Sequence, residues 1–228
     1  RVQTYADGVK VHFFPSSFIL NEKKWSLAKD GELTLRKSYI EANDVRFIQG
    51  EQEIVLSTEL DELTDHTNLV AKLRKVNIND FTQPFLKQPR FEGLVTGTVK
   101  LKDPFGKQII EYDVKAEDFR LDNEKIGTVN AKGEANTTTG QIKFKADADG
   151  ELYKFNIDGS YNYKDTGQNQ MDIAFLAERF DISMLNQYLG SIFSDMQGNA
   201  NSNLKLSGGE NHRYMTGSVT VTEGALKV

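Results

Sequence analysis

The side chains that could carry metal or redox chemistry are few and scattered. The three histidines, His12, His66 and His212, are far apart, and none has the closely spaced partner that a metal motif such as HExxH requires. The chain has no cysteine, which excludes a disulfide framework, a thiolate zinc site and a cysteine nucleophile. We predict no metal site and no cofactor, and we interpret the histidines as solvated or turn residues.

An acidic segment at residues 147–151 has some features of a calcium loop, because Asp147 and Asp149 precede Gly150. The position two before Asp147 is Lys145, however, and no glutamate lies six residues after Gly150. The segment is therefore better interpreted as the turn of a β-hairpin.

Nucleophilic catalysis has no clear basis in the sequence either. No GxSxG elbow is present, and the many carboxylates alternate with lysines as they do on a solvated strand face. We therefore predict that the chain is not an enzyme. Its formal net charge of −5, from 28 basic and 33 acidic residues, also argues against a nucleic-acid partner.

The elements that must position any site are strands, because apolar and polar residues alternate through most of the chain. Turn signals separate the alternating runs, as at residues 103–106 and 149–150. We predict a mainly β fold over residues 1–228 as a single segment. Its form would be an elongated antiparallel meander or solenoid-like curved sheet, shaped as a trough or a U. The clearest runs are residues 95–102, 141–147, 152–159, 171–176, 202–206 and 218–222.

Two segments interrupt the alternation and predict one or two short helices. Residues 182–193 have apolar residues at helical spacing after Asp181, a candidate N-cap. Residues 77–87 are similar, although Pro84 keeps any helix there short. The later helix would pack on the open sheet face through Ile182, Leu185, Leu189 and Ile192.

Both helical segments belong to an internal similarity. Residues 76–81 match residues 180–185, and residues 91–101 match residues 196–206. In each copy a strand is followed by a short helix, a glycine and a second strand. This predicts repeat units at roughly residues 69–118 and 171–223, and it favours an elongated stack over a closed globule.

The in-facing residues of the alternating strands are the candidate binding residues. They could fill the dry core of an ordinary β-sandwich, or they could line a groove that stays open to apolar clients. The candidate lining residues are Val99, Leu101, Ile142, Phe144, Phe155, Ile157, Ile173, Phe175, Leu204, Leu206, Val219 and Val221.

Residues 196–208 and 215–225 resemble a recurring signature of TamB-type translocation and assembly modules, which belong to the AsmA-like envelope proteins. In that family a strand of the form G-x-x-x-G/N-x-hydrophobic-x-hydrophobic-x-G is followed by hydrophobic-x-G-x-hydrophobic-x-hydrophobic. The segment around Gly93 and Gly97 fits the first half of this signature. Residues 17–21 with Trp25 resemble another step of these proteins in Bacteroides-like bacteria. The chain is thus similar to a carboxy-terminal region of such a protein.

The resemblance implies a long periplasmic trough in a parent protein that is anchored in the inner membrane and reaches an outer-membrane Omp85-type (TamA-like) barrel. Its apolar inner surface would conduct lipid, or would assist the assembly and secretion of outer-membrane proteins. The chain opens at Arg1 without a leader, and residues 225–228 read as a strand that has just begun. We therefore expect a fragment whose signal and anchor lie outside it.

The alternative from another class is a cell-surface carbohydrate-binding or adhesion module of β-sandwich form. Such modules stack sugar rings on exposed aromatic side chains. The candidates for this role are Trp25, Tyr161 and Tyr163.

Overall fold

The computed structural model describes residues 1–27, 29–37, 39–61, 67–83, 88–122, 124–189, 194–209 and 212–227. Strands account for 74% of the structure and helices for 5%, and the sheets are antiparallel. The predicted fold class is therefore confirmed. The strands are β1 (Val2–Tyr5), β2 (Gly8–Phe13), β3 (Ser16–Leu20), β4 (Lys23–Leu27), β5 (Gly31–Arg36), β6 (Tyr39–Asn43), β7 (Val45–Gln49), β8 (Gln52–Leu60), β9 (Thr67–Asn77), β10 (Phe91–Lys102), β11 (Ile109–Leu121), β12 (Glu124–Asn136), β13 (Gln141–Asp149), β14 (Tyr153–Asn162), β15 (Met171–Asp181), β16 (Ser194–Gly208) and β17 (Arg213–Lys227). The helices are α1 (Ile78–Thr82) and α2 (Asn186–Leu189), and a 3-10 turn, Ile182–Leu185, leads into α2.

The described strands form two sheets. The larger sheet has thirteen strands in the order β17-β16-β15-β14-β13-β12-β11-β10-β9-β8-β7-β4-β3, and it stays open. From β7 to β17 every strand pairs with its neighbour in sequence, which is the connectivity of a meander. The smaller sheet has the order β1-β2-β5-β6. No helix in the described ranges is long and apolar enough to cross a membrane.

Turn residues define the hairpins at one end of the larger sheet. Between β10 and β11, Asp103 adopts a positive φ of 44°, and its Oδ2 accepts a hydrogen bond from the Lys107 amide at 2.8 Å. Between β12 and β13, the Gly140 amide donates to the Asn136 carbonyl at 2.8 Å. Short polar side chains tolerate left-handed backbone and bond to nearby amides, which explains why these residues end the strands.

A series of β-bulges interrupts the pairing near the opposite, helix-bearing end. The register shifts at Gly93 between β10 and β11, around Asp118 between β11 and β12, and at Gly198 between β16 and β17. All three residues have positive φ, at 140°, 50° and 121°. Because a bulge bends its strand and increases the local twist, these positions curve the sheet near its helical end.

The two segments of internal similarity pair their strands in the same register. In the first, Val76 is opposite Val95 and Leu73 is opposite Gly97, with a shift between them. In the second, Phe180 is opposite Ala200 and Ala177 is opposite Ser202, again with a shift between them. Val76 and Phe180 are 104 positions apart, and their partners Val95 and Ala200 are 105 positions apart. That residues 69–118 and 171–223 are repeat units stays a prediction.

The amino-terminal part has a two-layer core. The smaller sheet lies against β8 and β9, where Ile40 and Val70 are buried. On the other side of the larger sheet, α1 covers Trp25, whose ring meets that of Phe81 edge to face at 5.8 Å. The buried Asp80 carboxylate accepts hydrogen bonds from Lys23 Nζ at 2.7 and 2.9 Å, which ties α1 to the β3–β4 hairpin.

A small core lies under the 3-10 turn in the carboxy-terminal part. Met184 packs with Ile126, Ala148 and Tyr153, all of which are buried. The predicted N-cap is present, because Asp181 Oδ1 accepts a hydrogen bond from the Ser183 amide. The predicted apolar stripe did not include Met184, which is the buried residue of the turn. Ile182 and Leu185, which it did include, are half-buried. Ile192 and the side chain of Leu189 lie outside the described residues.

Candidate functional site

The pairing register brings the predicted lining residues onto one face of the larger sheet. Residues that are directly opposite in an antiparallel pair point to the same side, so the register can be followed from strand to strand. One row across the sheet is Val99, Tyr112, Gly133, Phe144, Gly159, Ile173 and Leu206. The next rows contain Leu101, Ile110, Ala135, Ile142, Tyr161 and Met171, and Val114, Ala131, Ala146, Ile157, Phe175 and Leu204. A further row contains Val95, Ala116, Val129, Ala148, Phe155, Ala177, Ser202 and Val219, and Val221 follows Val219 on the same side of β17.

We call this side of β10 to β17 the apolar face, and all twelve predicted lining residues belong to it. Ten of them are half-buried, and Val219 and Val221 on β17 are 51% and 43% exposed. In the described ranges, only the 3-10 turn with α2 and the first helix pack over parts of this side, near one end of the strands. Among the described residues, the apolar face is therefore uncovered away from this end of the strands. In the row nearest to it, Val95, Ala116, Ala148, Ala177 and Ser202 are buried. Whether it binds lipid stays a prediction.

Sequence reasoning missed the contribution of β11 and β12 to the apolar face. β12 was not among the predicted strands, because its in-facing residues are small: Val129, Ala131, Gly133 and Ala135. The period-2 signal was present, but alanine and glycine carry little hydrophobicity. On β11, Tyr112 was likewise not assigned to the lining.

Glycines on the apolar face make room for large neighbouring side chains. A Cβ added at Gly133 would lie 2.5 Å from the hydroxyl oxygen of Tyr112, so the tyrosine ring lies over the glycine. A Cβ at Gly159 would lie 3.0 Å from Ile173 Cγ1. Burial raises the pKa of the Tyr112 phenol, which therefore stays neutral at physiological pH.

Three phenylalanines form an aromatic cluster on β14 and β15. The ring centroids of Phe155 and Phe175 are 5.6 Å apart, and Phe180 lies 5.7 Å from Phe175 and 6.2 Å from Phe155. The cluster continues into the small core, where Tyr153 meets Phe180 edge to face at 5.3 Å. Burial raises the pKa of the Tyr153 phenol, and the nearby carboxylates of Glu124 and Asp181 raise it further. Phe155, Phe175, Phe180 and Tyr153 thus make this end of the apolar face aromatic, and the Tyr153 phenol is neutral there.

The opposite side of β10 to β16, which we call the charged face, carries lysines and carboxylates. Lys145 pairs with Asp158 at 2.6 Å, and Lys205 pairs with Asp172 at 3.1 Å. An open depression of about 860 Å³ lies among residues of this face. Of the twelve predicted lining residues, only Phe144 borders it. This depression therefore lies mainly on the charged face, and the apolar face contributes few residues to it.

His66 lies outside the described residues, and the structure describes the acidic segment and His12. The acidic segment forms the β13–β14 hairpin: the Gly150 amide donates to the Tyr153 carbonyl at 2.8 Å, and Asp147 Oδ2 accepts from Asn130 Nδ2 at 2.8 Å. His12 is a strand residue beside Glu32, at 3.2 Å, and not a turn residue. Among the described residues, no group of three or more His, Cys, Asp or Glu side chains could hold a metal ion.

The aromatic residues proposed for sugar stacking are poorly placed for that role. Trp25 is 1% exposed and cannot present its ring to a ligand. Tyr161 is half-buried on the apolar face, whereas Tyr163 is exposed and donates its hydroxyl to the Thr137 carbonyl at 3.1 Å. The three rings therefore do not form a common platform.

Comparisons of the chain with family models, with curated proteins and with solved structures find no match.

Proposed function

We propose that this chain is a non-catalytic segment of a periplasmic, TamB-like protein, and that its apolar face binds the acyl chains of lipids or the apolar side chains of unfolded outer-membrane polypeptides. The observation that carries the proposal is the continuity of the apolar face over the eight strands β10 to β17. The parent protein's anchor in the inner membrane and its contact with an Omp85-type barrel belong to the same proposal, and they rest on the sequence resemblance.

The energetics of an open apolar face favour such clients. Water already reaches these half-buried side chains, so an acyl chain that lies on them removes additional apolar surface from water. Each buried methylene group contributes about 0.8 kcal/mol, and several methylenes are enough for useful binding without any polar recognition. Extended apolar surfaces on soluble domains are generally interaction sites.

The direction of the rows supports transport as well as binding. The rows run perpendicular to the strands, and neighbouring strands are about 4.8 Å apart. A client could therefore move from β10 to β17 in steps between similar apolar rows, while Lys, Asp and Glu side chains remain on the opposite side. If charged side chains were interspersed on the face, the moving client would have to displace their hydration water at each step.

The β-sandwich adhesion module is supported less well. Packing of one sheet on another is found at β8 and β9, where the smaller sheet covers Val70. Within the described residues, no second sheet covers the apolar face between β10 and β17. A sandwich would bury residues such as Phe144 and Leu206, which are half-buried here.

Two adjacent residues on β15 allow a matched test. Phe175 lies on the apolar face, and Leu176, 48% exposed, lies on the charged face. The purified chain would be extracted with organic solvent and the extract analysed for lipid by mass spectrometry. We expect lipid with the wild-type chain and with Leu176→Asp, and strongly reduced lipid with Phe175→Asp, because a carboxylate under an acyl chain loses its hydration.

The same experiment can contradict the proposal. Absence of lipid from the wild-type extract, together with no uptake of added phospholipid or unfolded outer-membrane polypeptide, would exclude an apolar-client function. Equal lipid in both variants would place the lipid elsewhere on the molecule.

A further inference from the structure

Three successive rows of β16 and β17 on the charged side of the sheet carry neutral polar side chains. On β13 this side presents Lys143, Lys145 and Asp147. On β16 and β17 the corresponding side presents amides and hydroxyls, which we call the amide–hydroxyl face: Asn199, Asn201, Asn203, Ser218, Thr220 and Thr222. All six residues are exposed. The surface is therefore neutral and polar over these three rows, and the next row of β16 contains Lys205, which pairs with Asp172 at 3.1 Å.

The six side chains form a regular array. Asn199 is opposite Thr222, Asn201 is opposite Thr220, and Asn203 is opposite Ser218. Neighbours along a strand are about 7 Å apart and neighbours across the pair are about 5 Å apart, as strand geometry dictates. The Thr222 hydroxyl donates to the Asn199 carbonyl at 3.3 Å, whereas the three asparagine amides have no hydrogen-bond partner among the described residues. The array thus offers unused donors and acceptors at fixed spacing.

We propose that the amide–hydroxyl face binds a neutral polysaccharide. Each amide and each hydroxyl is both a donor and an acceptor, and so is each sugar hydroxyl, so the two surfaces can exchange hydrogen bonds in either direction. None of its six members is charged, and Lys205 in the next row of β16 is already paired with Asp172, so the array itself offers no cation to a phosphate or a carboxylate. It has no large apolar side chain among its six members for an acyl chain.

The physical costs of binding are low at this surface. Displacing water from amides and hydroxyls costs less than desolvating the ions of the neighbouring strands. Threonine side chains have few rotamers, and the sheet holds the backbone, so little conformational entropy is lost on binding. Tyr214, 54% exposed, is on the same side of β17, one row beyond Thr216, and offers a ring for the apolar face of a sugar.

The test introduces a positive charge into the array. Gels that contain hydroxyethylcellulose, and beads of chitin, serve as neutral probes, and polygalacturonate gels serve as the charged comparison. We expect both neutral probes to retard or retain the wild-type chain, with little effect of added salt, because no ion pairs form. Asn201→Lys should weaken retention about tenfold, since the ammonium group loses hydration under the ligand.

A matched control comes from the same side of the sheet. Asn156 on β14 is exposed on the charged face, so Asn156→Lys adds the same charge outside the array and should leave retention unchanged. The proposal fails if neither neutral probe binds the wild-type chain, if Asn201→Lys binds as well as the wild type, or if binding falls steeply with salt. The alternative is that this face is a self-association surface. In that case sedimentation shows that the wild-type chain self-associates and that Asn201→Lys is monomeric, while the probes retain neither protein, and the proposal fails.

Lipid extraction and polysaccharide retention are independent measurements on opposite sides of the sheet. Phe175→Asp should affect only the first and Asn201→Lys only the second. Failure of one proposal is therefore distinguishable from failure of the other.

Discussion

Asn77 and Asp181 cap two equivalent turns. Asn77 Oδ1 accepts a hydrogen bond from the Asn79 amide at 3.0 Å, and Asp181 Oδ1 accepts one from the Ser183 amide at 2.9 Å. Both residues end a long strand with nearly the same backbone angles, at ψ 112°. The two strand–helix–strand segments therefore share the same capping hydrogen bond and the same strand register.

The caps should contribute to stability because each satisfies an amide at the start of its turn. Asn77→Ala and Asp181→Ala should each lower the free energy of unfolding by about 1 kcal/mol. Asp181→Asn keeps an acceptor oxygen and should cost much less. Urea denaturation would measure all three variants. Equal losses for Asp181→Ala and Asp181→Asn would mean that the cap oxygen is unimportant.

The bulge at Gly198 should tolerate no side chain. Gly198 has φ 121°, and an added Cβ would lie 2.9 Å from both Gly224 Cα and the Thr222 carbonyl oxygen. Gly198→Ala should therefore cost about 2–3 kcal/mol. Gly50 provides the control, because it also has positive φ, at 58°, but has no atom within 4 Å of an added Cβ. Gly50→Ala should cost about 1 kcal/mol. Thermal melts that rank the two variants in the opposite order would contradict the bulge geometry.

A charge on the apolar face should be tolerated by the fold, in contrast to a charge in the amino-terminal core. Leu206 is half-buried on an open face, so a carboxylate there can remain hydrated. Leu206→Asp should cost about 1 kcal/mol. Val70 is fully buried under the smaller sheet, and Val70→Asp should cost more than about 4 kcal/mol because its carboxylate has no access to solvent. Denaturation of the lipid-free proteins tests this, and unfolding of both variants would indicate that the apolar face is a closed core.

Acid should remove a small stabilisation from the smaller sheet. The hydrogen bond from Lys10, and then that from His12, hold the pKa of Glu32 below its ordinary value of 4.5. A lowered carboxylate pKa stabilises the folded state above the ordinary value, and this stabilisation is lost as the pH falls through the lowered pKa. Glu32→Gln should therefore have a slightly lower Tm than the wild type at neutral pH, and the two should converge below pH 4.5. A difference that persists in acid would indicate a packing effect, because an exposed ion pair contributes little.

The sequence alone determined the fold class and the face of each lining residue. Alternation with period 2 assigns side chains to the two sides of a strand without knowledge of its partner, so Phe144 and Leu206 could be placed together before their strands were paired. The internal similarity likewise identified Asn77 and Asp181 as corresponding positions, because capping depends on a few consecutive residues.

Pairing and packing were decided only by the tertiary structure. Trp25 was assigned to a possible sugar platform, yet α1 buries it, since burial depends on elements distant in sequence. The contribution of β12 to the apolar face depends on the position of Gly133 beside Tyr112. These two residues are 21 positions apart in the chain but directly opposite in the sheet. In the same way, Asn201 and Thr220 form one surface only because β16 and β17 pair in that register. Local patterns specify the direction in which a side chain points, whereas its neighbours are set by the long-range hydrogen bonds that fix strand register.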